Sequence, residues 1–175
     1  MLKKIGLGLG VVIIVLAGVI ALQPDTFTLS RSITINAPAE KAFVLVNDFH
    51  NWKQWSPWAK LDLAEKETFS GSTQGEGAMF AWDGNSKVGA GKMTITKASP
   101  FTSIDITTDF IRPMKATHSV QFSFVPEGNN TRVTWTMSGK KCVLAKACCL
   151  VRSMEKMVGP DFEKGLAQLK VAAEK

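Results

Sequence analysis

Five segments between residues 67 and 137 alternate apolar and polar side chains, and this period of two constrains the fold more than any other feature. Turn-forming residues separate them at positions 83–85, 99–100 and 127–130. Strands so close in sequence pair antiparallel, because a parallel crossover needs about a dozen residues or more. The sequence therefore predicts an antiparallel sheet whose apolar face must be covered by another element.

Further elements flank these strands on both sides. Leu29, Arg31, Ile33 and Ile35 share one face of an earlier strand, and two short helices are predicted after it, over residues 38–49 and 51–55. From residue 144 to residue 173, apolar residues recur at helical spacing, with a kink or restart predicted at 159–160. This terminal helix is expected to cover the sheet.

An uncharged run at residues 5–22 points to a membrane segment. As a helix it would be about 27 Å long, close to the roughly 30 Å of a bilayer core. Because Lys3 and Lys4 precede the run, the positive-inside rule places the rest of the chain on the extracytoplasmic side. We expect residues 1–25 to form a membrane anchor and residues 26–175 a separate domain. The alternative is a signal peptide whose cleavage leaves a secreted or periplasmic domain, although residues 19–21 fit the cleavage pattern poorly.

Charge and motif content narrow the function classes. The net charge of +6 is spread over scattered lysines, which does not favour nucleic-acid binding. Cys142, Cys148 and Cys149 lack paired metal-ligand spacing, so we predict no metal site and interpret them as small buried hydrophobes. Phosphate-binding and dinucleotide motifs are lacking in the sequence, and we predict no cofactor. Gly6 and Gly10 could pack two anchors together, but the oligomeric state stays open.

The element order and three segments of sequence resemble the SRPBCC superfamily, also called START-like or Bet v 1-like. These segments are residues 31–43 (RSITINAPAEKAF), 51–58 (NWKQWSPW) and 130–135 (NTRVTW), and the helix at 154–170 adds to the match. The similarity extends over residues 27–173 and is to the bacterial members described as polyketide cyclase/dehydrase-type. It implies an α+β helix-grip fold, in which a curved antiparallel sheet of about six to seven strands surrounds the C-terminal helix and an internal apolar cavity. Members bind sterols, lipids, polyketides or other apolar molecules, and a minority are enzymes.

We predict that aromatic and thioether side chains line this cavity, because apolar concave sites take apolar ligands and thioethers fill irregular space. The candidates are Trp55, Phe80, Trp82, Phe110, His118, Phe122, Phe124, Trp135, Met137, Met154 and Phe162. His118 shares strand parity with Phe122, and we interpret it as a hydrogen-bonded core or rim histidine. If it instead reaches the cavity, we expect it to orient a ligand and not to take part in turnover. We assign no catalytic residue.

The predicted function is a membrane-tethered binding domain for a hydrophobic small molecule or lipid. Two other functions stay open. One is a cyclase- or dehydratase-type enzyme in which His118 or a carboxylate serves as acid or base. The other is an interaction module with a filled core.

Overall fold

The computed structural model describes residues 14–141, 143–151 and 153–175. Residues 14–22 form a helix, α1, that leads into the first strand. The first part of the predicted anchor and Cys142 lie outside the described residues. Within the described residues, no helix combines the length and the apolar character needed to cross a bilayer.

Seven strands form one antiparallel sheet, as the alternating segments predict. In chain order they are β1 (Thr26–Ile35), β2 (Lys66–Gly71), β3 (Ala78–Asp83), β4 (Ala90–Ser99), β5 (Ser103–Arg112), β6 (Ala116–Glu127) and β7 (Asn130–Lys140). The spatial order is β1-β7-β6-β5-β4-β3-β2, so β1 pairs with the last strand and lies at one edge. The turns predicted at 83–85, 99–100 and 127–130 each fall where one strand ends.

Helices cover one side of this sheet and confirm the helix-grip architecture. Two short ones follow β1, α2 (Ala39–Asn47) and a 3₁₀ helix (Phe49–Gln54), as predicted. Two more follow β7, α3 (Val143–Val151) and α4 (Met154–Ala173). The long helix α4 packs mainly along β1 and α2, with smaller contacts to β7 and the 3₁₀ helix.

The prediction of where the terminal helix restarts was wrong. α3 ends at Val151 and α4 begins after Ser153, whose hydroxyl oxygen accepts a hydrogen bond from the Lys156 backbone N–H at 3.3 Å. Pro160 lies inside α4 although it cannot donate a backbone hydrogen bond. Burial of Phe162 and Leu166 just beyond it offsets that loss, because full burial of such side chains contributes about 1.5–3 kcal/mol each.

Candidate functional site: the open groove

The concave face of the sheet is covered unevenly. Near α2, the 3₁₀ helix and the middle of α4, its side chains are fully buried. Toward the end of the sheet where β1 begins and β5 ends, the inward-facing side chains stay partly exposed. We call this region the open groove; its residues are Phe27, Phe80, Trp82, Met93, Phe110 and His118.

One cross-strand row forms much of the floor of the open groove. Strand register places the following residues side by side in six strands, from β3 to β1: Phe80, Met93, Thr108, His118, Gly139 and Phe27. Direct cross-strand partners point to the same face of a sheet. The row is therefore apolar and aromatic at both ends, with two polar side chains, Thr108 and His118, at its centre.

His118 lies where the sequence predicted, on the concave face. Its ring covers Gly139, where any Cβ atom would collide with it. Phe27 packs edge-on at 5.0 Å between ring centroids, and Phe110 lies at 5.4 Å. Nδ1 is buried and has no hydrogen-bond partner within the described part of the chain. This burial lowers the pKa of His118 below its ordinary value, because desolvation disfavours the charged imidazolium.

Thr108 is a site residue that the sequence analysis missed. It is only 3% exposed, it is the direct cross-strand partner of His118, and its Oγ1 atom also lacks a partner among the described residues. A buried polar atom left unpaired costs about 1–3 kcal/mol. Such atoms therefore often mark a site where a water molecule or a ligand supplies the missing hydrogen bond. The signal was present in the sequence, since Thr108 follows the parity of Ile104 and Ile106 on the apolar face of β5.

The pH dependence of stability should report the burial of His118. The pKa of His118 has its ordinary value of 6.5 in the unfolded chain and is lower in the folded chain. When the pH falls below 6.5, the unfolded chain therefore binds a proton that the folded chain does not bind. Stability should therefore fall as the pH drops below about 6.5, until the folded-state pKa is reached. Urea unfolding at a series of pH values, for the wild type and His118→Leu, measures this. The variant should have a shallower slope in that window, and equal slopes would show that His118 is not desolvated.

The other predicted lining residues divide between groove and core. Phe80, Trp82 and Phe110 lie in the open groove, and Met154 is partly exposed at the start of α4. The remaining candidates are buried to 8% exposure or less in the closed part of the concave face: Trp55, Phe122, Phe124, Trp135, Met137 and Phe162. The structure brings these six together as packed core, and a lining role for them stays a prediction.

The carboxylates considered as acid or base groups lie away from His118. Asp105 accepts a hydrogen bond from Gln121 Nε2 at 2.8 Å, and Asp109 accepts one from Thr117 Oγ1 at 2.7 Å, both on the outer face. Asp83 ends β3 in an ion pair with Arg112. Among the described residues, no group of three or more His, Cys, Asp or Glu side chains could hold a metal ion. The open groove thus offers the neutral hydrogen-bonding groups of Thr108 and His118 in apolar surroundings.

Comparisons with known proteins agree with this architecture. A family model described as "Polyketide cyclase / dehydrase and lipid transport" matches residues 26–174. No curated protein matches the chain. The solved structures that resemble it include protein TTHA0849 from Thermus thermophilus (16% identity, 84% of this chain and 97% of that chain, TM-score 0.61). Protein Ms6760 from Mycobacterium smegmatis is similar as well (16% identity, 85% and 92%, TM-score 0.60).

A further similar structure is the di-domain ARO/CYC BexL from the BE-7585A biosynthetic pathway (16% identity, TM-score 0.61). The match covers 91% of this chain but 53% of that one. At these identities the structural matches show the fold alone.

Proposed function

The chain belongs to the polyketide cyclase/dehydrase and lipid transport family of the SRPBCC superfamily, and we propose that it is a membrane-tethered binding domain for a hydrophobic small molecule or lipid. Family membership supports the class of ligand, and the apolar run at residues 5–22 supports the tether. The observation that carries this proposal is the open groove. Its aromatic and thioether side chains stay partly exposed on the part of the concave face that lies away from the main contacts of α4. Concave apolar surfaces with few polar groups are typical ligand sites. Met93 adds an adaptable wall, because a thioether side chain fits ligands of varied shape.

Thr108 and His118 supply the polar part of the proposed site. Both are uncharged in these surroundings and lie side by side, so they suit a ligand hydroxyl or carbonyl group. Their direct cross-strand neighbours are Met93 and Gly139, neither of which could orient the imidazole for proton transfer. This supports a role for His118 in ligand orientation rather than turnover.

The tether is proposed from the apolar run at residues 5–22, of which α1 forms the end. Apolar side chains along α1 are largely exposed, with Ile14 at 72% and Leu22 at 89%. α1 leads into Thr26, at the end of the sheet where Phe27 and Phe110 border the open groove. An anchor in this position would direct the groove toward the bilayer, where an apolar ligand is concentrated. We place the domain on the extracytoplasmic side, with release after signal cleavage as the alternative.

A charge in the open groove should strongly reduce ligand retention. The full chain is extracted and purified in a detergent that replaces the bilayer lipid, and mass spectrometry then identifies the apolar compounds that copurify. Phe110→Asp places a carboxylate on the groove wall, so we expect retention to fall by about tenfold or more, equivalent to at least about 1.4 kcal/mol.

Val125→Asp is the matched control, because Val125 is 52% exposed on β6 and lies outside the groove. It should retain the compounds of the wild type. Equal retention by both variants, with both folded by circular dichroism, would remove the groove as the binding site. A wild-type chain free of any copurifying apolar compound would favour the interaction module instead.

A further inference from the structure

We propose that α3 lies in the interface of an anionic bilayer. Together with the connection between β5 and β6, it would bring the open end of the groove into contact with the bilayer surface. This inference rests on the membrane tether proposed above. It adds a second contact with the membrane, made by a part of the chain more than a hundred residues beyond the anchor.

The composition of α3 is that of an interfacial helix. Its nine residues, VLAKACCLV, contain one charged side chain, Lys146, and basic residues flank it in the sequence at 140, 141 and 152. Leu150 is 40% exposed, and Cys148 is exposed as a free thiol, so the interpretation of Cys148 as a buried hydrophobe was wrong. At about 1.5 Å per residue the helix is some 14 Å long, too short to span a bilayer but suited to lying along its surface.

Contacts to Asp25 fix α3 at the level where the anchor ends. Lys146 Nζ pairs with the Asp25 carboxylate, and the Lys141 backbone N–H donates to the Asp25 carbonyl oxygen at 2.7 Å. Asp25 follows Leu22 by three residues, which can span at most about 10 Å. An anchor that crosses the hydrocarbon as far as Leu22 therefore holds α3 at the headgroup region.

The one charge of α3 does not oppose this position. The Lys146 side chain is only 10% exposed and is paired with Asp25. The hydrogen bond and positive charge of Lys146 hold the pKa of Asp25 below its ordinary value, so the carboxylate stays ionised opposite the ammonium group. Among the described side chains of α3, the exposed ones are the uncharged Cys148 and Leu150.

Neighbouring groups at the same end of the sheet match an anionic surface. Ile111 and Met114, at 55% and 36% exposure, border the connection between β5 and β6. Lys115, Lys140 and Lys141 line an open hollow of about 660 Å³ at the ends of β1, β6 and β7, with threonine and serine side chains between them. Apolar side chains beside lysines bind anionic lipid headgroups and the underlying acyl chains together. A bilayer is thus the partner that fits both the apolar and the basic part of this surface.

The test measures the depth of Cys148 in a bilayer. The full chain, with Cys142 and Cys149 replaced by alanine, is labelled at Cys148 with the fluorophore NBD. It is then reconstituted in nanodiscs of phosphatidylcholine and phosphatidylglycerol. We expect a blue-shifted emission and about a twofold or greater loss of intensity when doxyl-labelled lipids are included.

The matched control carries the label at Val171→Cys in a chain that lacks the three native cysteines. Val171 is 62% exposed on α4, near the end of β1 opposite Thr26, and should show neither effect. Leu150→Asp in the Cys148-labelled chain should reduce the quenching.

The two proposals fail in different ways. A chain that stays with the nanodiscs while its Cys148 label is quenched no more than the Val171→Cys label would overturn the role of α3 and leave the tether intact. A chain that does not associate with the nanodiscs would overturn both.

Discussion

Replacing Trp135 with alanine should lower the free energy of unfolding by about 3–5 kcal/mol, the loss typical of a large buried aromatic side chain. Trp135 is 2% exposed and stacks on Phe162 of α4, with ring centroids 4.0 Å apart and planes 14° apart. It also stacks on Phe122 at 5.0 Å and meets Trp55 edge-on at 5.8 Å. The substitution removes the ring that joins the sheet to α4 and leaves a cavity that these rigid neighbours cannot fill.

Urea unfolding monitored by circular dichroism gives this free energy. Phe110→Ala is the control, because Phe110 is also an aromatic residue of the concave face but is partly exposed in the open groove. Its loss should be clearly smaller. If Trp135→Ala and Phe110→Ala lowered the free energy of unfolding equally, Trp135 would line a deformable cavity and would not belong to the closed core.

Enlarging Gly165 to valine should cost about 1–3 kcal/mol through overpacking. A Cβ atom at this position would lie 2.8 Å from Cζ3 of Trp135 and 3.0 Å from Cδ of Pro57. Neither the stacked indole nor the proline ring can move aside as a flexible chain end could. The cost outweighs the helix propensity that valine gains over glycine, which is less than about 1 kcal/mol.

Ala167→Val, on the exposed side of the same helix, is the control and should change stability by only a few tenths of a kcal/mol. Combining Gly165→Val with Trp135→Phe tests the mechanism, since the smaller ring frees space for the added carbons. The double variant should lose less than the sum of the two single losses. Strictly additive losses would contradict a direct clash between the two positions.

The sheet could be predicted from the sequence because its period of two is a local property. Turn-forming residues set the strand ends, and antiparallel pairing of sequential strands then brought Phe80, Phe110 and His118 to one face. Apolar residues at helical spacing predicted the covering helix, and the family resemblance added the curvature of the sheet around it. The pairing of β1 with β7 was not predicted, because it joins segments about a hundred residues apart.

The division into core and open groove could not be predicted, because it depends on the path of α4 in three dimensions. Arg31, on the concave side of β1, donates hydrogen bonds to Glu155 at 3.1 Å and Glu163 at 2.8 Å. Gly159 of α4 approaches the guanidinium so closely that a Cβ atom there would lie 2.7 Å from Nη2. These contacts hold α4 over β1, whereas Trp82, Met93 and Phe110 on β3 to β5 stay partly exposed. Strand parity placed Thr108 on the concave face, but only the three-dimensional structure shows that its hydroxyl lacks a partner among the described residues.

The pairing of the first strand with the last also sets the timing of folding. During synthesis β1 emerges about a hundred residues before its partner β7, and β7 completes the sheet only at Lys140. Contacts between such distant segments form slowly, because the chain loses the entropy of closing a long loop before the strand pairing stabilises it. Until then β1 and β6 each present an unpaired edge, which favours association with other chains. Nascent chains released before residue 140 should therefore depend on chaperones, whereas full-length chains should need them only briefly.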